Sequence, residues 1–121
     1  MVERYLLQDV ETWSQQNPET TAIPSREMRE RLVRGDLVKL HFLVPSNREL
    51  AERMWVEVQE LTDTGYIGRL DNDPLRYFVG VLLGNEIVAF EPKHVASIWI
   101  EPHHDWEKRM LGAAHSFTDL G

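Results

Sequence analysis

Hydrophobic and polar positions alternate along the middle of this chain and recur at helical spacing near its start. From 37 to 44, Val38, Leu40, Phe42 and Val44 alternate with Leu37, Lys39, His41 and Leu43. Period two marks a strand with one face on a core and the other toward water. Asp36 opens it, and Pro45-Ser46-Asn47 closes it. Residues 46–52 carry no clear period and read as a single helical turn or a loop. Met54, Val56 and Val58 then alternate with Trp55, Glu57 and Gln59, and Tyr66-Ile67-Gly68-Arg69-Leu70 resumes the pattern after Thr62-Asp63-Thr64-Gly65. Two short strands around a Gly-containing turn predict a hairpin. Gly68 inside its second strand predicts a bulge or a close backbone approach.

Asp71-Asn72-Asp73-Pro74 ends the hairpin, because Asp and Asn side chains bond nearby backbone N–H groups and Pro blocks further pairing. Residues 75–83 are apolar and less regular, with a short strand expected near 78–83. Gly84-Asn85 is a turn signal, Glu86–Glu91 a strand, Pro92-Lys93-His94 a tight turn and Val95–Ile100 the last strand.

Toward the N-terminus, Leu6, Val10 and Trp13 fall on one stripe and predict a helix over 3–16, stopped at Asn17-Pro18. Ser25 caps a second helix over 26–34, with Met28 and Leu32 on one face and Gly35 ending it. The expected fold class is α+β. About five short antiparallel strands form a small half-open barrel or bent sheet (SH3-like), with one or two N-terminal helices over an open edge. The division expected is a helix and linker over 1–24, one barrel-like domain over 25–102, and a tail over 103–121.

Composition narrows the function classes. The chain has 121 residues, enough for one domain. It has no cysteine, which removes disulfides, thiolate metal sites and a cysteine nucleophile. No apolar run reaches the length that spans a bilayer, and the N-terminus lacks a secretory apolar core, so a cytoplasmic location is expected. Net charge is −7, which disfavours binding to a nucleic-acid backbone. The charge is uneven. Residues 24–46 hold five basic and three acidic groups, and 47–91 hold four basic and nine acidic.

The phrases IPSREMRERL, GDLVKLHF, ERMWVEV, GYIGRLDNDP and FEPKHVASIW resemble an uncharacterised bacterial family, domain of unknown function number twenty-three fourteen. The resemblance covers roughly residues 18–100. Its most specific pieces are Arg53-Met54-Trp55-Val56, Gly68 with Leu70 through Pro74, and Phe90 through Val95. The family usually carries Gly-Asp before the strand at 86–91, where this chain has Gly84-Asn85-Glu86. The family brings no assigned activity. Relatives in toxin–immunity neighbourhoods imply a binding role.

Each candidate residue has two readings. Trp55, on the polar face of its strand, is either a recognition platform or covered by an N-terminal helix, and Trp99 is in the same position. Asp71 and Asp73 either hold a cation or share a proton, or simply cap the turn with Asn72. His94 is either an acid–base group acting with Asp71 or Asp73, or a histidine hydrogen-bonded in its turn. His103-His104-Asp105 is either a metal patch or a solvated tail. No Gly-x-Ser-x-Gly elbow or phosphate loop is present. No cofactor is expected.

The first expectation is a protein-binding module, possible as monomer or homodimer, that uses Trp55, Arg69, Asp71, Asn72, Asp73 and His94. An enzyme using His94 with Asp71 or Asp73 is the alternative. A nucleic-acid binder using residues 26–39 is the third.

Overall fold

The computed structural model describes residues 3–19 and 21–100. In chain order the elements are β1 (Leu6–Leu7), α1 (Val10–Gln16), α2 (Arg26–Glu30), β2 (Leu37–Val44), β3 (Asn47–Leu61), β4 (Tyr66–Leu70), β5 (Ile87–Phe90), a 3-10 helix (Pro92–His94) and β6 (Val95–Ile98). The fold is α+β, with a curled antiparallel sheet. The sheet runs β1-β2-β3-β4-β5, and β6 returns to pair with β2. Strands β1 and β6 share one edge of β2, since Leu6 and Leu7 pair with Leu43 and Phe42 while Val95 to Ile98 pair with Leu40 to Val38. Register shifts interrupt three ladders, near Leu43, Lys39 and Val58. Such bulges raise the local twist and let a short sheet curl into a half-open barrel.

The inward positions are those set by the period-two pattern. Val38, Leu40 and Phe42 of β2, Met54, Val56 and Val58 of β3, Leu70 of β4 and Val88 of β5 are all buried. Gly68 also points inward. A Cβ there would meet Val56 Cγ1, and would lie 2.8 Å from the Glu57 carbonyl oxygen and 3.2 Å from Phe90 Cε1. The close approach expected of that glycine is present, beside a register shift in β3.

Several expectations do not match the elements that form. The helix expected over 3–16 is split. Residues 6–7 pair with the free end of the β2 edge, and Asp9 starts α1 by accepting from the Thr12 N–H at 3.1 Å. A capping side chain outweighs a weak apolar stripe here. Helix α2 ends at Glu30, short of 34. Residues 47–52 are strand, because the ladder groups of Leu43 and Phe42 take Ala51 and Glu52 as partners. The strand expected near 78–83 is a series of turns. The candidates His103, His104 and Asp105 lie outside the described residues, as does the tail over 103–121.

Arg29 ties the N-terminal elements to the barrel. It is 5 % exposed. It pairs with Glu11 of α1 at 2.6 Å, and it donates to the carbonyls of Pro24 at 2.9 Å and Pro92 at 3.0 Å. The Tyr66 hydroxyl donates to the Arg29 carbonyl at 2.7 Å and accepts from the Leu32 N–H at 3.3 Å. Burial raises the pKa of that phenol above its ordinary value. Among the described residues, no helix is long and apolar enough to cross a membrane.

Candidate functional site

The Asp71–Pro74 segment that follows β4 is held by one side chain, Asn72, and by backbone bonds; no side-chain bond is made by Asp71 or Asp73 among the described residues. Asn72 Oδ1 accepts from the Trp55 N–H at 2.6 Å, and the Asp71 N–H donates to the Trp55 carbonyl at 2.9 Å. Asn85, in the left-handed region at φ 75°, donates its N–H to the Leu70 carbonyl. Asp71, Asn72 and Asp73 line a shallow recess of about 220 Å³ with Gly84 and Asn85. A Cβ on Gly84 would lie 2.8 Å from Asp73 Oδ1, so the missing side chain lets the two turns approach. Asn72 therefore acts as a turn-forming acceptor. Among the described residues, no cluster of three His, Cys, Asp or Glu side chains stands ready for a metal ion.

His94 sits at the opposite end of β4 and β5. Tyr66 pairs with Phe90 at that end, while Leu70 hydrogen-bonds to Glu86 at the end that bears Asp71. Four strand residues at about 3.3 Å each separate the two ends. The Glu91 N–H donates to His94 Nδ1 at 2.9 Å, and the charged groups that act on the ring are Glu91, Lys93, Asp9 and Glu11. Burial lowers its pKa, with Lys93 adding to the effect and the three carboxylates opposing it. The fold thus gives His94 a partner inside its own turn and does not bring it to Asp71 or Asp73.

On the outer face of the sheet, Lys39 stands in register with Trp55 on one side and Ser97 on the other. The Trp55 ring meets Trp99 edge-on, with centroids 5.9 Å apart and planes at 87°. Lys39 Nζ lies 4.8 Å from its centroid, within the range of a cation–π contact. Helix α1 places its own Trp13 against His41, with centroids 5.4 Å apart. Arg69 pairs with Glu57 at 3.3 Å across the β3–β4 ladder, and its Nε is buried without a hydrogen-bond partner among the described residues. Trp55 and Arg69 are therefore already engaged by neighbours in the sheet.

His41 gives a pH-dependent prediction. Its side chain is buried beside Trp13, with Nδ1 2.9 Å from Gln8 Oε1. Burial, then Arg53 and Lys39, push its pKa down from 6.5 to about 4. An unfolded chain binds that proton from about pH 6.5 downward, whereas the folded chain resists it until about 4. Stability from this group is full above pH 6.5 and falls as pH drops toward 4. The loss is on the order of 2 kcal/mol, allowing for water that screens part of the effect near the surface. Urea unfolding of wild type and His41→Gln at pH 7.5 and 4.5 checks it. The wild type should lose more on acidification, and equal losses would show that His41 does not titrate in this way.

The most exposed apolar surface lies in a segment that the sequence pattern presents as a strand. From Leu75 to Leu83 the odd-numbered residues Leu75, Tyr77, Val79, Val81 and Leu83 face solvent, while Phe78 and Leu82 are buried. Leu75 is 82 % exposed and Leu83 70 %. Ile87 of β5, 62 % exposed, follows shortly after in the chain. Glu52 sets the shape of this loop. It occupies an inward position of β3, one step before Met54, and is 8 % exposed. Its Oε2 accepts from the N–H groups of Leu75 at 2.6 Å and Arg76 at 3.3 Å, and its Oε1 from those of Tyr77 at 3.0 Å and Phe78 at 3.2 Å. Arg4 closes the far side, donating to the Val81 carbonyl and pairing with Glu86.

Two signals for this site were present in the sequence. Running the period-two pattern of Met54, Val56 and Val58 back one step places Glu52 on the core face. The odd-position apolar series 75–83 is itself alternating. A scan of protein-family models, a search of curated proteins and a search of solved structures each found no match to this chain.

Proposed function

We propose that this chain is a small cytoplasmic module that binds another protein through the ridge of Leu75, Tyr77, Val79, Val81 and Leu83. One observation carries the reading. The ridge exposes five large apolar side chains within nine residues, and the backbone of its first part, 75–78, is held by four hydrogen bonds to one buried carboxylate. Large apolar side chains left exposed close together in the chain favour a protein interface. A loop fixed beforehand loses little conformational freedom on binding. The Asp71–Pro74 turn adjoins the ridge and adds a polar rim.

The other readings receive less from the geometry. His94 and the Asp71–Asp73 turn stand at opposite ends of their strands, so an acid–base pair does not form between them. Within 26–39, Arg26 pairs with Glu30, Arg29 with Glu11, and Lys39 lies against Trp55. Those engagements break up the basic stripe that a nucleic acid would need.

The test is affinity capture from a lysate of the source cell with wild type, Val79→Asp and Asp73→Lys compared side by side. Val79 is 61 % exposed, so its replacement should change stability by no more than about 0.5 kcal/mol. A captured protein should drop at least about tenfold with Val79→Asp, consistent with loss of an apolar anchor from an interface. Asp73→Lys, at the rim, should weaken capture less. Undiminished capture by a folded Val79→Asp would remove the ridge as the binding surface.

A further inference from the structure

Beside the ridge lies the largest of the open recesses described, about 490 Å³, lined by Glu49, Ala51, Arg53, Leu75, Arg76 and Tyr77 around the buried Glu52. Arg53 and Arg76 are both exposed, and neither pairs with a carboxylate among the described residues. Four other cations, Arg4, Arg26, Arg29 and Arg69, are paired, but none of those four lines this recess. Glu52 lines the recess but makes no ion pair with either Arg53 or Arg76, because its oxygens are taken by the four N–H groups of residues 75–78. The same bonds fix the backbone that carries Arg76 and Tyr77. Arg53 is fixed from the other side, as part of the β2–β3 ladder opposite His41.

We infer that this recess binds a side-chain carboxylate of the partner polypeptide, with an apolar residue next to that carboxylate resting on Leu75. The inference rests on the ridge being the binding surface and adds the chemistry of what binds. Guanidinium groups on two sides suit a planar carboxylate, which each can meet through paired N–H donors. Ala51 and the 82 %-exposed Leu75 give the adjoining wall an apolar character that a polypeptide side chain can cover. Glu49 on the same wall sets the preference among anions. Its negative charge, added to that of the chain, repels a doubly charged phosphate more strongly than a singly charged carboxylate.

The probes are acetyl-Leu-Glu-Leu-amide, its neutral isostere acetyl-Leu-Gln-Leu-amide, and inorganic phosphate, each titrated into the full-length chain and followed by backbone amide shifts. The Glu peptide should shift residues 51–53 and 75–77 and bind about tenfold more tightly than the Gln peptide, the difference expected of a charge-assisted contact. Arg53→Gln and Arg76→Gln, both exposed and away from the core, should each reduce that preference severalfold. Equal binding of the two peptides would overturn the inference, as would shifts mapping elsewhere or phosphate binding more tightly than the Glu peptide. The ridge reading is separable from it. Partner capture lost in Val79→Asp but unchanged in Arg53→Gln and Arg76→Gln would leave the ridge standing and remove the carboxylate recess.

Discussion

Replacing Glu52 with alanine should destabilise the fold by about 3–5 kcal/mol, the largest effect expected of any single polar substitution in this chain. Four main-chain donors lose their acceptor at once. A buried donor left without a partner costs roughly 1–3 kcal/mol. The sum is smaller than four such costs because the loop can move outward and let water reach some of these groups. That movement has its own cost, since Phe78 and Leu82 are anchored in the core by the same segment. Glu52→Gln separates charge and shape from simple presence. Its amide oxygen can still serve one pair of donors, but its NH₂ group then faces the other pair, so about 2–4 kcal/mol should still be lost. Urea unfolding gives the magnitude, and amide exchange at 75–78 gives the location. Exchange there should quicken ahead of exchange in β3 and β4. A loss under about 1 kcal/mol in both variants would mean that the loop is held by its side chains alone.

The second large effect belongs to Gly68. An added methyl group would run into Val56 Cγ1 and come within 2.8 Å of the Glu57 carbonyl oxygen. The valine can rotate, but the carbonyl belongs to the neighbouring strand and moves only if the ladder moves. Overpacking a closed core typically costs about 1–3 kcal/mol, and a backbone clash puts Gly68→Ala at the upper end, about 3 kcal/mol. In a chain of this size that corresponds to a fall in Tm of roughly 10 °C. Calorimetry decides it. Val56→Ala in the Gly68→Ala background tests the mechanism, because room made on the valine side should recover part of the loss even though Val56→Ala alone is destabilising. No recovery would place the whole strain at the carbonyl.

The hairpin was readable because both physical signals agreed there. Alternation set the inward face from Met54 to Val58, and Thr62 to Gly65 supplied turn chemistry. The turn at Pro92–His94 was readable from its proline, and the last strand only in part: it ends at Ile98, short of Ile100, and buries the neighbours Val95 and Ala96 together beside a register shift in its ladder. Agreement failed at 46–52. Arg48, Glu49 and Leu50 carry no alternation of their own, and their strand geometry comes from the unfilled ladder of β2, a tertiary effect absent from any local window. Residues 6–7 are strand for the same reason. The helix expected there lost to an open edge on one side and to the Asp9 cap on the other. At 78–83 the apolar period was real but ambiguous. A buried strand and a loop with a solvent-facing apolar side give the same string of residues, and only the position of Glu52 separates them. The candidate site was legible in the turn at 71–73, where local hydrogen bonding decides. It was not legible at the ridge or at Arg53 and Arg76, whose meaning depends on which carboxylates the fold leaves out of reach.

The grip on the 75–78 backbone uses main-chain N–H groups and ignores the side chains that ride on them. Any residue but proline can stand at 75, 76 and 77 without losing the hold, while Phe78 is kept by its place in the core. The barrel therefore offers a fixed frame with an interchangeable insert. Exposed positions at 75, 76 and 77 can be rewritten to change what the surface recognises while Glu52 keeps its shape, which makes this loop the natural place to graft a new specificity.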